Sequence, residues 1–181
     1  FKVTVDRLES VRTSKTKAIV INSPSNPTGI IYDKDELRAI CEWAVSNRLW
    51  IISDEIYDKL VYGDNAHVSV PSLSDEIKEH TVLINGVSKS YAMTGWRIGY
   101  FAAPAQVASA ISRLQSHTTS NPTSVAQYAA IEACQPSIIG EVSTMATSYM
   151  ERARMFTKKM NDVGLTTHMP MGGLYCFSSI P

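Results

Sequence analysis

Lys89 stands between Ser88 and Ser90 in a polar turn directly after the apolar run Thr81-Val82-Leu83-Ile84, so its amine should project into a crevice at a strand end. A lysine in such a turn is most often a solvated surface charge. Arg97, eight residues on within Met93-Thr94-Gly95-Trp96-Arg97-Ile98-Gly99, points to chemistry instead. Flanking glycines permit close backbone approach, and a guanidinium makes bidentate bonds to phosphate. A cation beside a partly desolvated amine also favours the neutral, nucleophilic form that Schiff-base chemistry requires.

Three further residues share this kind of position. Asp54 closes the run Leu49 to Ile52 and Ser53, where a carboxylate is costly unless it meets a cation or hydrogen-bond donors. Its structural alternative is a helix cap or an ion pair. Asn26, held between Pro24 and Pro27, offers a rigidly aimed amide, although Asn-Pro is commonly just a turn. Tyr57 follows Asp54 by three residues and would lie near it if a helical turn starts there; packing is its bland role. His67, His80, His117 and His168 show no metal-ligand spacing, and no metal is expected. Trp96 is the tryptophan expected nearest to Lys89.

The elements that must position these residues can be read from the apolar pattern. Residues 17 to 22 form a β-branched run ending in Ser23-Pro24-Ser25-Asn26-Pro27-Thr28-Gly29, the mark of a buried parallel strand and its loop. Asp33 with Glu36 resembles a capping box, and Leu37, Ile40, Cys41, Ala44 and Val45 follow at helical spacing. Strands are predicted at 49–52, 81–84 and 97–102, with an irregular stretch between Gly63 and His80. Beyond these, helices are predicted from Pro104, over 124–134, and from about Ile139 to Val163, the last with Met145, Tyr149, Phe156 and Met160 inward and Gly164 as terminator. Gly172 to Phe177 reads as a further strand. Strands alternating with an amphipathic helix predict an α/β fold with a mostly parallel sheet, whose site lies at the carboxyl ends of the strands.

Composition narrows the partners. With 17 basic and 17 acidic residues and no run of like charge, nothing suggests a nucleic-acid or polybasic membrane surface. Cys41, Cys134 and Cys176 are odd in number and far apart, which argues against a disulfide framework or a zinc site and for a reducing, cytoplasmic setting. No apolar run approaches the roughly 20 residues of a membrane helix. The chain opens at Phe1-Lys2-Val3 without Met and stops at Ile180-Pro181 after a strand-like run, which reads as an excerpt of a longer protein.

Taken in order, Ser-Asn-Pro-Thr-Gly, Ser-Asp-Glu-Ile-Tyr and Ser-Lys-Ser-Tyr-Ala-Met-Thr-Gly-Trp-Arg-Ile-Gly resemble the motifs of fold-type I pyridoxal-phosphate enzymes, and more narrowly those of class I aminotransferases in the aspartate aminotransferase branch. The resemblance spans essentially the whole chain. It implies a three-layer αβα major domain, here incomplete: residues 1–136 as the C-terminal part of the large cofactor-binding domain, 137–163 as a long connecting helix, and 164–181 as the start of a small domain. It implies pyridoxal 5′-phosphate as cofactor and an amino acid, with aspartate in view, and a 2-keto acid as substrates. Lys89 would be the Schiff-base lysine that shuttles a proton between substrate and cofactor, and Asp54 the carboxylate facing the pyridine nitrogen. Asn26 and Tyr57 would hold the cofactor's phenolic oxygen, and Arg97 its phosphate.

Two departures qualify this. Where some family members carry a phosphate-binding serine three residues before the lysine, this chain has Gly86, leaving Ser88 as the nearby hydroxyl. Where the animal and enteric aspartate enzymes place a distal-carboxylate arginine four residues before Ser-Asn-Pro, this chain has Ser116 before Ser120-Asn121-Pro122. The resemblance also places the phosphate cradle, the stacking aromatic and the α-carboxylate arginine outside residues 1–181, so these residues alone are expected to turn over little or no substrate. A homodimer is implied for the parent. The competing expectations are a carbon–sulfur β-lyase using the same cofactor and a non-catalytic, aminotransferase-like regulatory module.

Overall fold

The computed structural model describes residues 1–180. In chain order the elements are α1 (Val5–Val11), β1 (Ala18–Asn22), α2 (Lys34–Ser46), β2 (Trp50–Asp54), α3 (Asp75–Glu79), β3 (Thr81–Gly86), β4 (Gly99–Ala102), α4 (Ala105–Thr118), α5 (Ser124–Ala133) and α6 (Ile139–Asp162). The sheet runs β1-β2-β3-β4; its first two pairings are parallel and the last antiparallel. The expected α/β class with a mostly parallel sheet is thus what forms.

Register assigns each side chain to a face. Ile19, Ile51 and Thr81 lie side by side, as do Ile21, Ser53 and Leu83. This face packs on α2, whose Leu37, Ile40, Cys41 and Ala44 recur at helical spacing and are buried with Leu49, Val70, Leu73 and Ile77. Burying a side chain such as Leu37 or Ile51 contributes about 2 kcal/mol. The capping box is present: the Asp33 carboxylate accepts from the Asp35 and Glu36 N–H groups while Glu36 accepts from the Asp33 N–H. The opposite face, carrying Val20, Ile52, Val82, Asn22, Asp54 and Ile84, has no helical layer among the described residues; Val20 is 67% exposed and Ile84 41%. Of the three expected layers, the sheet and one helical layer are formed here.

Beyond the sheet, Ala146 of α6 packs with Tyr57 and Leu60, and Ala126 of α5 with Val87 and Ile98, so these helices brace the loops at the strand ends. Several local expectations are corrected. The stretch between Gly63 and His80 is not wholly irregular: it contains a 3-10 turn, Val70–Ser72, and α3, where the Ser74 hydroxyl caps the Ile77 N–H at 3.2 Å. Pro104 is the N-cap of α4 rather than its first helical residue. Phe156 of α6 is 47% exposed, because it faces a groove between α6 and the tail rather than the core. Gly164 does end α6, with φ +89°. Residues 172–177 form no strand. Gly173 takes φ +78°, which breaks the extended run. The segment is tied instead by single bonds, Tyr62 N–H to Met171 O at 2.8 Å and Gly173 N–H to Leu60 O at 2.9 Å.

Candidate functional site

The carboxyl ends of β1, β2 and β3 each lead into a loop bearing a predicted site residue. At the end of β1, Asn22 works in two directions. Its amide donates to the Asp54 carbonyl at 3.1 Å, and its Oδ1 accepts from the Asn26 N–H at 2.7 Å. The Asn26 loop is thereby anchored to the end of β2, with the Ser23–Pro24 and Asn26–Pro27 peptides both cis. The Asn26 amide in turn reaches the Tyr57 hydroxyl at 3.4 Å. Asn22 was not singled out from sequence, since an Asn closing a strand carries no signal until its register opposite Asp54 is known.

At the end of β2, Asp54 lies on the open face and accepts from the Ile56 N–H at 3.2 Å. Glu55 turns the other way and is 3% exposed. Its carboxylate is held by the Ser53 hydroxyl, the Val70 N–H and His67 Nε2, each at 2.9 Å. A buried carboxylate with three partners is stable where an unpaired one is not, and it fixes the chain reversal that presents Asp54 and Tyr57. Tyr57 is 3% exposed. Burial first, and then Tyr175 beside it, push its phenol up to about 12, against the opposing pull of the Asn26 amide. Tyr57 therefore keeps its proton at neutral pH and can donate it. The tail carries Tyr175 to this place through the Met171 and Gly173 bonds, and periodicity gave no sign of it.

At the end of β3, the loop from Val87 to Ile98 is closed by Val87 N–H to Ile98 O and Met93 N–H to Val87 O, both 3.3 Å. Val87 is fully buried. Ala92 at φ +54° and Arg97 at φ +56° both adopt the left-handed region, a cost that non-glycine residues bear mainly where the surroundings fix a functional loop. Lys89 and Ser88 are half-buried, and Lys89 joins no salt bridge among the described residues. Arg97 is exposed; one guanidinium nitrogen donates to Thr94 O at 2.9 Å, leaving further donors for an anion. Gly86 has a steric reason to be glycine. A Cβ there would sit 2.8 Å from the Ile98 carbonyl oxygen and 3.1 Å from Gly99 Cα.

The structure thus joins Asn26 to Tyr57 directly and Asp54 to the Asn26 loop through Asn22, with Lys89 and Arg97 on the loop that follows the neighbouring strand. The serine that ties the Lys89 loop to its surroundings is Ser90 rather than Ser88 (Ser90 Oγ to Asp58 Oδ1, 2.8 Å). Trp96 is 44% exposed. Two grooves lie elsewhere: one of about 730 Å³ along α6, and one of about 530 Å³ between α6 and the tail. Neither includes Lys89 or Asp54; Asp54 lies on the open face of the sheet and Lys89 in the loop after β3. As a donor set the strand-end residues suit a phosphorylated pyridine aldehyde: an amine, a carboxylate, a paired amide and neutral phenol, and a guanidinium.

An α/β fold with polar side chains gathered at the carboxyl ends of parallel strands is the class found in pyridoxal-phosphate-dependent transferases. The chain belongs to the aminotransferase class I and II family, which it matches over residues 1–181. It is 48% identical over 178 residues to an aspartate aminotransferase of Geobacillus stearothermophilus, covering 98% of this chain and 45% of that protein. To an asparagine–oxo-acid transaminase of Streptococcus mutans it is 46% identical, covering 99% of this chain and 46% of the relative. The crystal structure of an aromatic aminotransferase from Pyrococcus horikoshii superposes with a TM-score of 0.94 at 37% identity, over 99% of this chain and 48% of that one. The chain spans somewhat under half the length of these relatives.

Proposed function

We propose that the polypeptide carrying these residues transfers an amino group between an amino acid and a 2-keto acid with pyridoxal 5′-phosphate as cofactor. The observation that carries this is the Asn26–Tyr57 donor pair beside Asp54, anchored by Asn22, with Lys89 on the next strand's loop. The cofactor supplies an electron sink for the electrons released when the substrate's α-carbon loses its proton. Lys89 would provide the amine that holds the cofactor and the base that takes up and returns the proton at the substrate's α-carbon. The Asp54 carboxylate keeps the pyridine nitrogen protonated. Asn26 and the neutral Tyr57 both donate to the phenolic oxygen and hold its charge, and Arg97 binds the phosphate, with Ser88 as the nearby hydroxyl.

The reading extends to a cytoplasmic homodimer. It divides the chain into large-domain residues 1–136, a connecting helix 137–163 and the start of a small domain from 164. No helix is long and apolar enough to cross a membrane. Aspartate is the first amino donor to test, since relatives near 48% identity are named for it. Ser116 offers no cation to a distal carboxylate; it is exposed and its hydroxyl bonds Arg113 O at 2.7 Å. A dicarboxylate would therefore be recognised by other residues.

The test is half-transamination. The complete polypeptide is mixed with aspartate, alanine or an aromatic amino acid, and the cofactor's visible absorbance is followed as keto acid forms. Turnover should be lost by at least about a thousandfold in Lys89→Ala. Release of pyruvate and ammonia from a cysteine-type substrate without any keto-acid acceptor would overturn the assignment in favour of β-elimination.

A further inference from the structure

Ser90 is fully buried immediately after Lys89. Its hydroxyl has one hydrogen, and the short contact, 2.8 Å, is to Asp58 Oδ1. The Ile56 carbonyl at 3.4 Å is too far to compete for it. As an acceptor, Ser90 Oγ lies 3.4 Å from the Lys59 N–H. The second carboxylate oxygen of Asp58 meets Lys59 Nζ at 3.1 Å, and the Asp58 side chain is only 15% exposed. Asp58 lies in the turn that starts at Asp54 and holds Tyr57, closed by Asp58 N–H to Glu55 O at 3.0 Å and Leu60 N–H to Tyr57 O at 2.8 Å. This pair, Ser90 buried and Asp58 partly so, therefore spans the two loops on which the proposed chemistry depends. Its charge-assisted bond is stronger than a neutral one and worth most where water is excluded.

We propose that Ser90 and Asp58 are positioning residues, a tether that sets the Lys89 amine relative to Asp54 and Tyr57; this rests on the proposed role of Lys89. Neither residue need touch cofactor or substrate. The two loops are otherwise contributed by different strands, and the Lys89 loop carries two left-handed residues that favour relaxation if released. Ser88, on the other side of Lys89, is half-buried and does not bridge the loops.

The experiment compares the full chain with Ser90→Ala, Asp58→Ala, the double variant, and the conservative Ser90→Thr and Asp58→Asn. Lys89 is labelled reductively with pyridoxal 5′-phosphate and cyanoborohydride, and the labelled peptide is quantified by mass spectrometry well below the unfolding temperature. Each alanine variant should lower the maximal labelling rate by about 10- to 100-fold, the scale on which small misplacements act, with the half-saturating concentration little changed. The double variant should lose no more than either single one. Ser90→Thr and Asp58→Asn, which keep the hydroxyl and the acceptor, should recover most of the rate. Multiplicative losses, or wild-type rates in the alanine variants, would overturn the tether. In parallel, amide exchange of residues 89–93 should quicken about tenfold in both alanine variants while β3 stays protected. Unchanged exchange there also overturns it, whatever the labelling shows. Absence of label in the wild-type chain would count against the proposed function alone, because the exchange measurement still decides the tether.

Discussion

Gly86 shows how much a single missing side chain decides. The two nearest atoms a Cβ would strike belong to the backbone of Ile98 and Gly99, which cannot swing away as the third, the Ile56 Cδ1 at 3.2 Å, could. Gly86→Ala should therefore part β3 from β4 locally and cost about 1–3 kcal/mol, read as a lower urea midpoint with unchanged slope. The same geometry explains why no serine can stand at this position, a departure that sequence alone recorded without a cause. Asn26, Asp54, Tyr57 and Lys89 were legible because polar residues after apolar strand runs are conspicuous. Asn22, Ser90 and Asp58 were not. Their importance lies in partners 32 residues away in sequence for Asn22 with Asp54, and likewise 32 for Ser90 with Asp58, and no local spacing encodes that.

Between β2 and α3 the chain is organised by one buried acid. Glu55 receives a hydroxyl, a backbone N–H and an imidazole, so it ties the end of β2 to the 3-10 turn at Val70 and to His67. Glu55→Ala should strand these partners and cost about 3 kcal/mol. A drop in thermal midpoint larger than that of an exposed control such as Glu76→Ala would show it. Strands and α2 were readable from periodicity because their apolar faces are continuous. The turn at Val70 and the short α3 were hidden in a polar stretch, since a five-residue helix buries only Ile77 and shows no repeating face. The tail departs from expectation for a related reason: its apolar residues predict a strand, but the conformation of Gly173 and its bond to the Leu60 turn decide otherwise.

Across the whole molecule, alkali should be the weak side. Burial is the chief cause pushing the phenols of Tyr57, Tyr62 and Tyr91 up to about 12 from an ordinary value of 10.0, and the Cys41 thiol up to about 12 from 9.0. Their folded values exceed their unfolded ones, so in that window the folded chain holds more protons than the unfolded one. Stability is then full below about pH 9 and falls as pH rises toward 12. Urea midpoints measured at pH 8, 10 and 11 should decline in that order, and flat midpoints would contradict it. The α/β class itself was legible in the alternation of elements, whereas the open side of the sheet became visible only once register assigned faces. That open side has a practical consequence. β1 is an edge strand with no neighbour beyond it in the described sheet, it shows Val20 to solvent, and the chain carries no net charge to keep copies apart. Isolated chains should therefore associate near neutrality by adding strands to one another along β1, so that low protein concentration is the condition under which they stay apart.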